Sequence, residues 1–79
     1  MIELSIVSPE KELFKGDIKQ ITLPGTKGRF TILENHAPIA SSLRKGVVHY
    51  VTMEGIEHDL EIEEGFIEAS KNRISVCIS

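Results

Sequence analysis

An antiparallel all-β fold is predicted for this chain of 79 residues, and three observations predict it. Apolar residues recur with a period of about two rather than 3.6. Turn-forming residues punctuate the chain roughly every eight to twelve positions. Only Ile39 to Lys45 could wind a helical turn, and Gly46 would stop it.

The elements follow in order. Ile2, Leu4 and Ile6 alternate with Glu3 and Ser5, giving a strand with one face inward, and Ser8-Pro9 ends it. Lys15-Gly16-Asp17 is turn chemistry, after which Ile21 and Leu23 flank Thr22. Pro24-Gly25-Thr26-Lys27-Gly28 reads as a tight hairpin turn. Phe30 and Ile32 then flank Thr31, and Glu34-Asn35-His36 breaks the run. Beyond Lys45-Gly46, the set Val47, His49 and Val51 alternates with Val48 and Tyr50 as far as Glu54-Gly55. His58, Leu60 and Ile62 alternate with Asp59, Glu61 and Glu63 up to Glu64-Gly65. After Lys71-Asn72, Ile74, Val76 and Ile78 alternate with Ser75, Cys77 and Ser79. Such a series implies an antiparallel sandwich or barrel forming one domain over residues 1–79.

Composition narrows the function classes. A domain this small buries only about 60% of the surface its unfolded chain exposes, leaving little surplus for a strained catalytic pocket. The formal net charge of −3 lacks the basic excess of a nucleic-acid binder. The single cysteine, Cys77, forms no internal disulfide and points to a reducing compartment. No apolar run approaches the roughly 20 residues of a membrane helix. Met1-Ile2-Glu3-Leu4 has neither the basic nor the apolar region of a signal peptide, so a bacterial cytoplasm or an equivalent compartment is expected.

The candidate chemical motifs have plain structural readings. Gly25-Thr26-Lys27-Gly28 lacks the second half of a phosphate loop, and no helices flank it as in the RNA-binding glycine loop. His49 and His58 lie within alternating apolar faces and are expected at the core edge, whereas His36 lies in a turn. No histidine pair, and no combination with Cys77, has metal-ligand spacing. Glu57, Asp59, Glu61, Glu63 and Glu64 read as a solvated strand face. Phe14, Phe30 and Phe66 suit core packing rather than base stacking. Cys77 faces away from Ile74, Val76 and Ile78, toward an interface. These residues predict a small β-sandwich with no active site, no cofactor and no metal.

One ordered set of residues goes further. Ser8-Pro9-Glu10, Leu13-Phe14-Lys15-Gly16, Ile21-Thr22-Leu23-Pro24-Gly25, Gly28, Ile32-Leu33, His36-Ala37-Pro38, Lys45-Gly46-Val47-Val48 and Glu64-Gly65-Phe66-Ile67-Glu68 occur with a spacing that resembles one known family. It is the N-terminal domain of the epsilon subunit of rotary F-type ATP synthases, matched from Ile2 to about Ile78. The resemblance implies a flattened antiparallel β-sandwich of about eight to ten short strands at the foot of the rotating central stalk. It implies a non-catalytic rotor subunit that links the gamma subunit to the c-ring and couples proton or sodium flow to ATP synthesis. It further implies indirect contact with the alpha/beta catalytic head, and involvement of neither nucleic acid nor direct membrane insertion. Carried over by position, Ser8, His36, Ile39, Ser41 and Ser42 are expected to meet gamma. Thr26, Lys27, Gly28 and Arg29 are expected to meet the c-ring. The implied location is peripheral, at the cytoplasmic face of the bacterial cell membrane.

The sequence departs from that family at four places. Arg29 stands where a glutamate is usual, Glu34-Asn35 replaces Pro-Gly, and Glu63-Glu64-Gly65 replaces Ser-Gly-Gly. Asn35 tolerates the left-handed conformation that such a turn needs. The chain stops at Ser79, where family members continue into a helical hairpin, so no C-terminal helical domain and no hairpin-type inhibition of hydrolysis are expected. Two other classes of small β domain compete. A biotinyl or lipoyl carrier would display a lysine between characteristic neighbours, which Lys71-Asn72 lacks, and charge and aromatics disfavour a nucleic-acid-binding barrel.

Overall fold

The computed structural model describes residues 1–79 and contains eight strands and no helix. They are β1 (Ile2–Val7), β2 (Glu12–Gly25), β3 (Gly28–Leu33), β4 (Ile39–Leu43), β5 (Gly46–Thr52), β6 (Glu57–Ile62), β7 (Gly65–Ala69) and β8 (Arg73–Ile78). All eight hydrogen-bond as one sheet in the order β1-β8-β7-β4-β2-β5-β6, with β3 on β2 and β1 also on β2. A sheet with one apolar face must fold over to bury it. Here it does so through the 14-residue β2. The first half of β2 pairs with β1, its middle with β5, its second half with β3, and Gly25 with Leu43 of β4. The eight strands fall within the expected eight to ten.

Every neighbour pairing is antiparallel except one. β1 and β8 run parallel, from Glu3 opposite Arg73 to Val7 opposite Cys77. The Arg73 guanidinium donates to the Glu3 carboxylate at 3.1 Å on that ladder.

Fifteen residues from all eight strands form a single core cluster. Ile2, Leu4, Ile6, Ile18, Ile21, Leu23, Val48, Ile67, Ile74 and Val76 are fully buried. Each contributes about 1.5–3 kcal/mol. In β2 the inward residues jump from Ile18 to Ile21 because the β2–β5 register shifts between Ile18 and Gln20. The extra residue of that bulge turns the strand and carries it from one layer to the other.

The structure corrects four expectations. Lys15-Gly16-Asp17 is not a turn but lies inside β2, opposite Ser5, Leu4 and Glu3 of β1. Ile39–Leu43 is a strand, not a helical turn, because its backbone pairs residue for residue with β7, from Ile39–Ala69 to Leu43–Gly65. Local helix propensity yields to that ladder. In β5 the buried set is Val48, Tyr50 and Thr52, so His49 points outward. Its Nδ1 lies 2.6 Å from Asp59 and its Nε2 3.2 Å from Glu57, both on β6. His58 does sit at the core edge, its ring 5.1 Å from Tyr50, which in turn packs on Phe14 at 4.6 Å. Phe14 and Phe30 pack against the core, whereas Phe66 is on the outer face and 46% exposed.

β3 and β6 each pair with one strand and form the edges. Outward Glu57, Asp59 and Glu61 place charge along β6, which deters pairing with another chain. No helix is long and apolar enough to cross a membrane.

Candidate functional site

Sheet register places a row of side chains on the outer face of the β4-β7-β8-β1 arm. Ser42 lies opposite Phe66, Phe66 opposite Cys77, and Cys77 opposite Val7. Ser42, Phe66 and Cys77 are exposed, and Val7 is half-buried. The neighbouring row on the same face, two residues along each strand, is Ala40, Glu68, Ser75 and Ser5. Most of these side chains are small or apolar. A face of this kind approaches a partner closely at little desolvation cost.

The β2–β3 turn is the second candidate element. Thr26 and Lys27 form a turn between Gly25 and Gly28. Gly28 has φ 135°, a conformation that L side chains rarely adopt. At Gly25 a Cβ would lie 2.7 Å from the Gly28 carbonyl and 2.7 Å from the Phe30 ring, so the hairpin closes only over a bare backbone. The turn is fixed to the β4–β5 connection. Thr26 N–H donates to the Ser42 carbonyl at 3.1 Å, and Arg44 N–H to the Pro24 carbonyl at 2.9 Å. The Thr26 and Ser42 hydroxyls lie 3.2 Å apart. Arg29, paired with Pro24, donates from Nη1 to the Val47 carbonyl at 2.8 Å.

The residues singled out from the sequence fall in different places. Ser8 follows Val7 at the end of the apolar row, where its N–H donates to the Lys11 carbonyl at 2.9 Å. Ser42 ends the row at its other side. Ser41 is half-buried, opposite core residue Ile67, and its hydroxyl donates to the Ser42 carbonyl at 3.0 Å. Ile39 begins β4, opposite Ala69. His36 lies before β4, and its Nδ1 donates to the Ala37 carbonyl at 2.8 Å. That bond leaves Nε2 as an acceptor, which is buried and has no partner. Asn35 of the preceding turn has φ 66°, the left-handed conformation expected of it. Register thus unites Ser8, Ser42 and the Thr26 turn around one face, with His36 and Ile39 beyond the opposite end of β4 from Ser42.

Sequence reasoning missed Phe66, Arg44 and Val7 as members of this surface. The alternation of Phe66 with buried Ile67 carried the signal for the first of these. The burial of Tyr50 pushes its hydroxyl above its ordinary value, and this group belongs to the core rather than to the candidate surface.

Comparison with known proteins adds the following. A family model described as the ATP synthase delta/epsilon chain, beta-sandwich domain, matches residues 1–79. The chain is 39% identical over 75 residues to the ATP synthase epsilon chain of Leptospira borgpetersenii, covering 95% of this chain and 58% of that one. It is 35% identical over 77 residues to the epsilon chain of Campylobacter fetus, covering 98% and 60%. The chain therefore spans less than two thirds of the length of these curated relatives. Its fold matches a chain in the cryo-EM structure of the Euglena gracilis mitochondrial ATP synthase, OSCP/F1/c-ring, with a TM-score of 0.91 at 18% identity, covering 98% of this chain and 49% of that one. A chain of the Tetrahymena thermophila mitochondrial ATP synthase central stalk/c-ring gives 0.78 at 17% identity, covering 98% and 62%.

Proposed function

Because the chain belongs to the family of the ATP synthase delta/epsilon chain β-sandwich domain, we propose that it serves as a non-catalytic rotor element of an F-type ATP synthase. In this role it links gamma to the c-ring, so that ion flow through the ring turns gamma inside the catalytic head. The observation that carries this reading is the outer row Ser42–Phe66–Cys77–Val7, which adjoins the closed Thr26–Arg29 turn. A rotor link needs two adjoining docking surfaces held rigidly to each other, and the pair of elements supplies them.

The apolar row, with Ser8 and Ser42 at its ends, is assigned to gamma, and Thr26, Lys27, Gly28 and Arg29 to the ring. Ser41 supports the first surface from beneath rather than touching the partner, and His36 and Ile39 extend it along β4. A contact that survives rotation needs well above the roughly 1,000 Å² of a specific interface. The domain would lie peripherally on the cytoplasmic face of a bacterial membrane.

Cys77, the sole cysteine, is exposed in the middle of the row and serves as a native reporter. The test is cross-linking from Cys77 with a short thiol-reactive photoprobe in the intact synthase. Gamma peptides attached to Cys77 are expected. Full labelling of Cys77 by a soluble maleimide in the assembled enzyme, with no gamma adduct, would put the interface elsewhere.

A further inference from the structure

Four of the nine lysines and arginines stand in two turns: Lys27 and Arg29 at the β2–β3 turn, Arg44 and Lys45 between β4 and β5. These turns are separate in sequence but form one body. Thr26 bonds Ser42, Arg44 bonds Pro24, and Arg29 reaches Val47 across the proline that cannot donate to the β5 ladder. Gly46 lies against the Pro24 ring, where a Cβ would come within 2.9 Å. The molecule's ion pairs are Met1–Glu34, His49–Glu57, His49–Asp59 and Arg73–Glu3, so none of the four cations is in one. Lys45 shares a shallow cleft with Glu61 and Glu63 without pairing to either. Lys27, Arg29 and Arg44 therefore carry the excess charge, a local inversion in a chain of net charge −3.

We propose that these two turns form a single rigid basic tip that docks a carboxylate-bearing loop of a partner protein. This rests on the reading above, in which the Thr26–Arg29 turn faces the ring, and it names the chemistry of that contact. A guanidinium offers planar paired donors to a carboxylate. Arg29 spends one nitrogen on the Val47 carbonyl, which anchors the exposed side chain, and its other donors take no partner within the chain. Fixed cations suit carboxylates at fixed positions better than a fluid bilayer. The tip also lacks what a bilayer contact uses. Thr26, Lys27, Gly28, Arg29, Arg44 and Lys45 include no aromatic or apolar side chain to enter the interface.

The test uses the chain bound to gamma, titrated onto detergent-solubilised c-ring from the source organism, at low and high salt. Lys27→Glu and Arg44→Glu leave every backbone bond of the tip in place. Each reversal is expected to weaken ring binding about three- to fivefold at low ionic strength. The double variant should lose roughly tenfold or more, and the difference should fade near 1 M salt, where the Debye length is about 3 Å. Exchanging an acidic ring-loop residue for lysine should restore the double variant. Unchanged circular dichroism and melting temperature control for the fold. Ring binding that is indifferent to both reversals overturns the proposal. So does binding to phosphatidylglycerol-containing vesicles that the double variant abolishes, since the tip would then read lipid. Gamma binding without ring binding sinks this inference alone, whereas loss of both in the unmodified chain sinks the rotor reading with it.

Discussion

Thr26 and Ser42, sixteen positions apart, are joined twice, by a backbone bond from Thr26 N–H to the Ser42 carbonyl at 3.1 Å and by hydroxyls 3.2 Å from each other. One residue belongs to the surface assigned to the ring and the other to the surface assigned to gamma. The pair makes the two surfaces one piece. A Thr26→Val, Ser42→Ala double-mutant cycle should show each change costing about 0.5–1.5 kcal/mol and the double change costing less than the sum. Urea denaturation of the four proteins measures this, and strict additivity would show the hydroxyl contact to be idle.

Gly25→Ala is expected to be far more damaging than a surface change. The new Cβ would meet the Gly28 carbonyl and the Phe30 ring, each at 2.7 Å. Overpacking of this kind costs about 1–3 kcal/mol. Against a total of about 5 kcal/mol for a small domain, the midpoint of thermal unfolding should fall visibly, and the β2–β3 turn should open. Amide exchange at Thr26 and Ser42 reports the opening. A midpoint equal to that of the parent would mean the hairpin has slack that its geometry denies.

Phe66 separates folding from docking. It is exposed while its neighbour Ile67 is fully buried. Phe66→Ala should change the isolated domain's stability by no more than about 0.5 kcal/mol, yet should weaken gamma binding by about 2 kcal/mol, as expected of a central aromatic anchor. Ile67→Ala should do the reverse and cost about 2–5 kcal/mol of stability. Calorimetric titration with gamma, beside denaturation of the free chain, distinguishes the two, and an unaffected gamma affinity in Phe66→Ala would remove the row from the interface.

Stability should fall at alkaline pH through Tyr50. Burial raises its folded-state pKa above the ordinary 10.0. A group with a raised folded pKa contributes stability that is intact below the unfolded value and lost as pH rises through the folded one. The unfolded chain releases the Tyr50 proton first, so the loss begins near pH 10 and deepens above it. Tyr50→Phe should flatten that alkaline limb relative to the parent in denaturation midpoints taken from neutral pH upward. Identical limbs would assign the alkaline loss to other groups.

The legible part of the fold was the part without register faults. In β1 and β8 the alternation Ile2-Leu4-Ile6 and Ile74-Val76 runs unbroken, and each inward residue is buried. In β2 the bulge beside Lys19 shifts the phase, and nothing local in Lys19-Gln20 announces it. β5 is apolar on both faces, so period alone could not choose between Val47-Val51 and Val48-Tyr50. The packing of Tyr50 on Phe14, a contact between strands far apart in sequence, decides it. The site divides in the same way. The Thr26–Arg29 turn was readable from its glycines and Asn35 from its tolerance of positive φ. The association of Arg44 with that turn exists only through hydrogen bonds between the β2–β3 hairpin and the β4–β5 connection.

The parallel ladder between β1 and β8 has a consequence for how the chain comes into being. Of the eight strands β1 is made first and β8 last, and Glu3 meets Arg73 across 70 positions. While the chain emerges from a ribosome, Leu4 and Ile6 can pair early with β2, but the other side of β1 stays open until β8 is free. Closing so long a loop is entropically costly and slow. The sheet should therefore close only once β8 has emerged, with one edge of β1 unpaired until then. Arrival of β8 is thus the event that completes the core, because Ile74 and Val76 are the last of its fifteen residues to join.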